Sequence, residues 1–169
     1  MIELERTYLA RFLPPGLMGF PCKIMVDTYV PKESVHPKLR IRQIGDSYEI
    51  TKKEPIDGDL SRFLEQTVVL RQEEFESLKK VDGKRVAKKR YYYPYKNLMA
   101  EIDVFQEDLM GLVLVDFEFK TNNEKDSFQI PDFCLVDVTQ EPFCAGGRLC
   151  GKRYEDIEKD LERFGYKKL

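Results

Sequence analysis

The chain has 169 residues, 42% of them hydrophobic, with 28 lysines and arginines against 30 aspartates and glutamates. That length fits a single domain over residues 1–169 with a sizeable core. The near balance of charge excludes recruitment of nucleic acid or membrane by net charge alone, so any electrostatic function must come from local segregation of sign.

The first strand is expected over Glu3–Tyr8, where alternation puts Glu3 and Glu5 on one face and Leu4, Arg6 and Tyr8 on the other. Two carboxylates on one face read either as a solvated edge or as oxygen ligands for a hard divalent cation. Pro14-Pro15-Gly16 breaks the chain, and a second extended run, Lys23–Val30, ends at Pro31. Leu39–Ile44, the turn Gly45-Asp46-Ser47 and Tyr48–Lys53 form a β-hairpin with basic groups on one face. Phe63–Leu70 reads as a strand, followed by a short helix over Gln72–Lys80 in which Phe75 and Leu78 pack together. Three strands with β-branched or aromatic residues on alternate positions follow: Arg85–Tyr93, Met99–Phe105 and Leu112–Phe119. After an Asn-rich turn, Val136–Thr139 is a short extended piece, and Tyr154, Ile157, Leu161 and Phe164 mark an amphipathic C-terminal helix.

No apolar run approaches a membrane span, and the N-terminus lacks the basic start and apolar core of a signal peptide. The expectation is a soluble, cytoplasmic protein. Cys22, Cys134, Cys144 and Cys150 show no paired spacing and read as free thiols, and the single histidine, His36, is remote from them, which argues against zinc.

The strands keep one sign of charge each. Glu3 with Glu5, Glu101 with Asp103 and Asp116 with Glu118 are acidic pairs at spacing two, while Arg40 with Arg42 and Lys88 with Arg90 are basic pairs, with Lys53 joining the basic set. Opposite charges across strands stabilise by roughly 0.2–1 kcal/mol and like charges opposed destabilise, so this segregation needs an offsetting interaction. A metal-bound polyanion supplies one, carboxylates holding the cation and Arg and Lys the phosphate oxygens. Ile41, Ile102, Val104, Val115, Phe117 and Phe119 occupy the opposite face. Periodicity leaves two closures open: an ordinary barrel with the apolar face inward, or a wet tunnel with the charges inside and helices covering the apolar outside.

Taken in order, these motifs make the chain resemble the CYTH superfamily, the triphosphate tunnel metalloenzymes, over nearly its whole length. Glu3 and Glu5 match the opening Glu-x-Glu-x-Lys, with Thr7 in place of the lysine. Arg40 and Arg42 match Arg-x-Arg, Thr51 and Lys53 match Thr-x-Lys, and Glu65 matches the first of two later carboxylates, with Thr67 where a second often stands. Lys88, Arg90 and Tyr91, then Glu101, Asp103 and Phe105, then Gly111, Leu112, Asp116, Glu118 and Phe119, and the late Val138-Thr139 complete the series. The resemblance implies an α+β fold, an antiparallel eight-stranded β-barrel forming a tunnel with a charged interior and helices outside. It also implies a metal-dependent triphosphatase acting on tripolyphosphate or a nucleoside or thiamine triphosphate by in-line attack of water, with Mg2+ or Mn2+. Class IV-type adenylate cyclisation and polyphosphate or nucleotide binding without turnover are the alternatives. Glu3, Glu5 and Glu118 are then the catalytic metal ligands, Glu101, Asp103 and Asp116 further acidic metal-site lining, and Arg40, Arg42, Lys53, Lys88 and Arg90 the phosphate cradle. The expected partner is a triphosphate-containing small molecule, with no nucleic acid or membrane, and the protein is expected to be a monomer or homodimer.

Overall fold

Alternating β-branched and aromatic residues build nine antiparallel strands in the computed structural model, which describes residues 1–169. They are β1 Ile2–Ala10, β2 Cys22–Val30, β3 Leu39–Ile44, β4 Ser47–Ile56, β5 Asp59–Leu70, β6 Lys84–Tyr95, β7 Leu98–Phe105, β8 Val113–Phe119 and β9 Cys134–Asp137. Spatial order runs β5-β4-β3-β2-β6-β7-β8-β1, and β1 pairs back onto β5, closing an eight-stranded barrel. β1 divides its second edge. Ile2, Glu3 and Leu4 pair with Leu64, Phe63 and Arg62 of β5, while Tyr8–Ala10 pair with β9 across an irregularity between Leu9 and Ala10. The closing seam is thus three residue pairs long, against six between β1 and β8.

Closure settles which face lies inside. The outer faces of β1, β6, β7 and β8 carry Tyr8, Tyr91, Ile102, Val115, Phe117 and Phe119, all buried in one apolar cluster with Leu17, Phe133 and Cys134. Phe128 covers them, its ring 4.6 Å from that of Phe117, just after helix α2, Asn122–Ser127. The apolar side therefore faces outward under a cover of short helices and loops, and the charged side faces the lumen: the tunnel closure.

One end of the lumen is apolar and stoppered. Leu9, Tyr29, Val86, Phe105 and Leu114 pack in a single cluster with Leu149, Tyr154, Ile157, Leu161 and Tyr166 of the C-terminal segment. That segment comprises α3 Gly146–Leu149, a 3-10 turn Tyr154–Asp156 and α4 Glu158–Glu162. Tyr166 Oη fastens it by accepting from the Val113 N–H and donating to the Gly111 carbonyl, each at 2.8 Å. The seating is close enough to require glycine: a Cβ on Gly146 would fall 2.3 Å from Tyr29 Oη, and one on Gly147 2.3 Å from the Pro37 carbonyl.

Some expected elements are replaced or shortened. The Asn-rich turn is the helix α2, started by Thr121 Oγ1 accepting from the Glu124 N–H at 3.2 Å. The helix after β5, α1, is Gln72–Leu78, and Phe75 stacks on Tyr48 at 4.4 Å, anchoring it to β4. The C-terminal helix expected over Tyr154–Phe164 is two pieces, because Ile157 leaves regular helical geometry at φ −119° while its side chain enters the core. All four cysteines are free, with Cys134, Cys144 and Cys150 buried.

Ile157 is fully buried against the barrel end, so Ile157→Ala is expected to lower unfolding free energy by about 2–5 kcal/mol, read as a shift of the urea midpoint. A change under about 0.5 kcal/mol would show that the C-terminal segment contributes no packing to the barrel.

Candidate active site

The lumen holds a cavity of about 210 Å³ lined by every one of the eleven charged residues singled out in the sequence: Glu3, Glu5, Arg40, Arg42, Lys53, Lys88, Arg90, Glu101, Asp103, Asp116 and Glu118. Strand alternation alone selects them, one from β4 and two from each other contributing strand.

On the acidic wall, Glu5 of β1 lies directly opposite Glu118 of β8. Like charges in that register repel. The ammonium of Lys53 meets part of this charge, with Nζ 2.6 Å from Glu5 Oε2, 3.0 Å from Glu3 Oε2 and 4.4 Å from the centre of the Phe63 ring. These pairs leave Glu118 without a cation. Glu3 Oε2 is buried and, despite Lys53, accepts no well-aligned hydrogen bond. Burial, aided by the charges of Asp116 and Glu3, pushes the Glu5 carboxyl up to about 7 against the pull of Lys53. Burial beside Glu101 and Glu3 does the same to Glu118, also to about 7. At Glu3 burial acts upward as well, but Lys53 and Arg40 outweigh it and hold the carboxyl below its ordinary value.

The other carboxylates are committed to the basic residues. Asp103, 1% exposed, accepts from Arg90 Nε and Nη2 at 2.6 Å each and from Lys88. Burial opposes its ionisation, yet Arg90 and Lys88 bring its pKa down to about 2. Arg90 also pairs with Glu101 and reaches Asp116 Oδ2 at 3.2 Å. Thr7 Oγ1 donates to Asp116 Oδ1 at 2.7 Å, so the position where the family motif carries lysine holds a neutral donor to the acidic wall.

Two positioning residues were missed in the sequence. Asp27 of β2 accepts from Arg42 Nε at 2.5 Å and Nη2 at 2.7 Å in a buried two-pronged pair. Tyr29 Oη accepts from Arg40 Nη1 at 3.3 Å, and Glu65 lies 3.8 Å from Arg40 Nη2. The signal was available in the hairpin-like pairing of β2 with β3, where Asp27 falls opposite Arg42 and Tyr29 opposite Arg40. Glu65 and Thr67 are linked by a 3.0 Å hydrogen bond from the hydroxyl, and Thr67 Oγ1 also lies 3.0 Å from Thr51 Oγ1.

Glu3, Glu5 and Glu118 form the donor set that suits a hard divalent cation: three carboxylates, one with an orphaned buried oxygen and one without a counter-charge. In their present positions no three acidic groups converge on a metal-sized point, because Lys53 Nζ sits between Glu3 and Glu5. Chemically, such a lumen can hold a chain of phosphates along the basic side and a cation along the acidic side.

A closed antiparallel barrel with that two-sided charged bore defines a triphosphate tunnel. The sequence matches no family model. It is 33% identical over 144 residues, 83% of this chain and 91% of the relative, to a protein of Nitrosomonas europaea named inorganic triphosphatase. The fold superposes on the crystal structure of an inorganic triphosphatase with a TM-score of 0.65 at 26% identity, covering 89% of this chain and 95% of that one. A putative adenylate cyclase from Bacillus halodurans shares the fold alone, with a TM-score of 0.55 at 13% identity over 99% of this chain and 91% of that one. The chain belongs to the CYTH superfamily, the triphosphate tunnel metalloenzymes.

Asp27 tests the electrostatic scaffold. Asp27→Ala strands the Arg42 guanidinium and is expected to cost about 3–5 kcal/mol of unfolding free energy at pH 7. Arg42 holds the Asp27 carboxyl, against burial, well below its ordinary value, so its contribution is complete above the unfolded pKa and is lost as pH falls. The gap between wild type and variant should therefore shrink by about 1.4 kcal/mol per pH unit below about pH 4 in denaturant titrations. A gap independent of pH would mean that packing, not the ion pair, is what Asp27 supplies.

Proposed function

We propose that the protein is a metal-dependent triphosphatase that hydrolyses inorganic triphosphate in the barrel lumen. The observation that carries this reading is the opposition, within one cavity, of the Glu3, Glu5 and Glu118 wall to a cradle of Arg40, Arg42, Lys53, Lys88 and Arg90. The name of the Nitrosomonas relative supports the substrate.

In this reading Glu3, Glu5 and Glu118 hold Mg2+ or Mn2+, which when bound neutralises phosphate oxygens and acidifies a water. Arg90 and Arg42 meet phosphate oxygens with planar guanidinium groups already fixed by Asp103 and Asp27, so little side-chain freedom is lost on binding. Lys53, held by Glu3 and Glu5 in the empty lumen, turns to the phosphates once the carboxylates have the cation as their counter-charge. Water attacks the terminal phosphorus in line. Its oxygen forms the new bond, the bridging P–O bond breaks with its electron pair going to pyrophosphate, and the water's proton is shed to the products or solvent. The cradle stabilises the charge spreading over the phosphate oxygens. Glu101, Asp103 and Asp116, engaged by Arg90, Lys88 and Thr7, act as positioning residues for the cradle.

Thr7 favours a second reading, a binder without turnover, because its hydroxyl brings no positive charge to the lumen. Phosphate release from tripolyphosphate with and without Mg2+ or Mn2+ separates the two. The expected result is metal-dependent release that Glu118→Gln lowers by about 100-fold or more. Tight calorimetric binding with no release identifies the binder, and cyclic AMP with pyrophosphate from ATP identifies a cyclase.

A further inference from the structure

Beside the lumen, at the stoppered end, lies a chamber of about 90 Å³, several times what one ordered water needs. It adjoins the tunnel, since Glu5, Thr7, Tyr29, Arg40 and Lys53 line both. The short Thr7 side chain stands on the boundary. The outer walls come from His36, Pro37 and Lys38 in the loop before β3 and from residues 144–147 before and within α3. Those walls are held together by the two glycines whose Cβ atoms would overlap Tyr29 and Pro37.

The charge of this chamber is not balanced by its own carboxylates. Lys38 Nζ lies 3.1 Å from each ring nitrogen of His36, and no carboxylate lies within ion-pair distance of it. The Nε atoms of Arg40 and Arg148 are buried without a hydrogen-bond partner. Arg148 is near enough for its charge, after burial, to lower the pKa values of both His36 and Lys38. Of the lining carboxylates, Glu5 is taken by Lys53 at 2.6 Å and Glu141 faces Arg163 at 3.4 Å. Lys38 thus lacks an ion-pair partner, and Arg40, though its Nη2 faces Glu65 at 3.8 Å, keeps a buried Nε unsatisfied; a small oxyanion meets such groups with charge-assisted hydrogen bonds.

We propose that this chamber is an orthophosphate-binding subsite through which the cleaved terminal phosphate leaves the tunnel, with Lys38 and Arg40 as its anion-binding groups and the charge of Arg148 adding to them from outside the lining. The exit role rests on the triphosphatase reading; the anion subsite does not. The anion passes the neutral Thr7 and exchanges the grip of Arg40 for that of Lys38, away from the carboxylate wall that repels it.

His36, the single histidine of the chain, reports on the chamber directly. Orthophosphate titrated into the full-length protein should shift the His36 ring resonances saturably. Lys38→Gln should weaken that response about 10-fold, and Glu118→Gln, which lines the lumen but not the chamber, should leave it in place. A silent His36, or a response abolished by Glu118→Gln and spared by Lys38→Gln, overturns the subsite. During tripolyphosphate turnover, Lys38→Gln should weaken product inhibition by orthophosphate by a similar factor, and unchanged inhibition overturns the exit role. A protein that responds at His36 but releases no phosphate from tripolyphosphate refutes the triphosphatase reading and the exit role, and upholds the anion subsite. Turnover with a silent His36 refutes the subsite alone.

Discussion

Every feature of the lumen depends on one constraint: a closed sheet sends alternate side chains inward, and here those positions carry fourteen charged residues. A buried charge without a counter-ion costs several kcal/mol, so the bore is stable only because cations and carboxylates from neighbouring strands are matched. Segregation of sign along each strand is therefore no defect. Lys53 of β4 meets Glu3 and Glu5 of β1, Arg90 of β6 meets Asp103 and Glu101 of β7, and Arg42 of β3 meets Asp27 of β2. The exception is Glu5 against Glu118, and the group left without a partner there is the one best placed to take a cation.

Rigidity of the surrounding shell makes this matching specific. The outward apolar cluster fixes β1, β6, β7 and β8 through interlocked rings, among them Tyr8, Phe117 and Phe128. The C-terminal segment fixes the far end and sets Tyr29, which in turn holds Arg40. A cradle whose guanidinium groups are placed before substrate arrives needs little reorganisation to bind a polyanion.

Much of this was legible in the residues. Spacing-two pairs such as Arg40 with Arg42 identified the lumen face, because alternation is a local property. Periodicity alone left open whether that face pointed in or out, and the family resemblance supplied the answer, since inside and outside are properties of closure, and closure joins β1 to β5, elements some sixty residues apart. For the same reason Lys53 could be assigned to the cradle but not paired with Glu3 and Glu5. Asp27 was overlooked as one acidic residue in an otherwise unremarkable strand; its meaning lies in its register with Arg42. The helix α2 had a local signal that went unread, Thr121 three residues before Glu124, masked by asparagines that favour turns. The break at Ile157 had none, because burial of its side chain, not propensity, interrupts the helix.

The seam between β1 and β5 has only three residue pairs, and it is reinforced by two ion pairs that cross it, both from Lys53 reaching over β5 to Glu3 and Glu5. These are the same contacts that a cation and a polyanion would replace. Filling the bore and latching the barrel are thus thermodynamically linked, since the latch that holds the empty barrel shut is given up for ligands that bridge the same two walls. The barrel's mechanical weak line and its chemical centre coincide, and occupancy of the bore becomes a determinant of how readily the cylinder opens along its length.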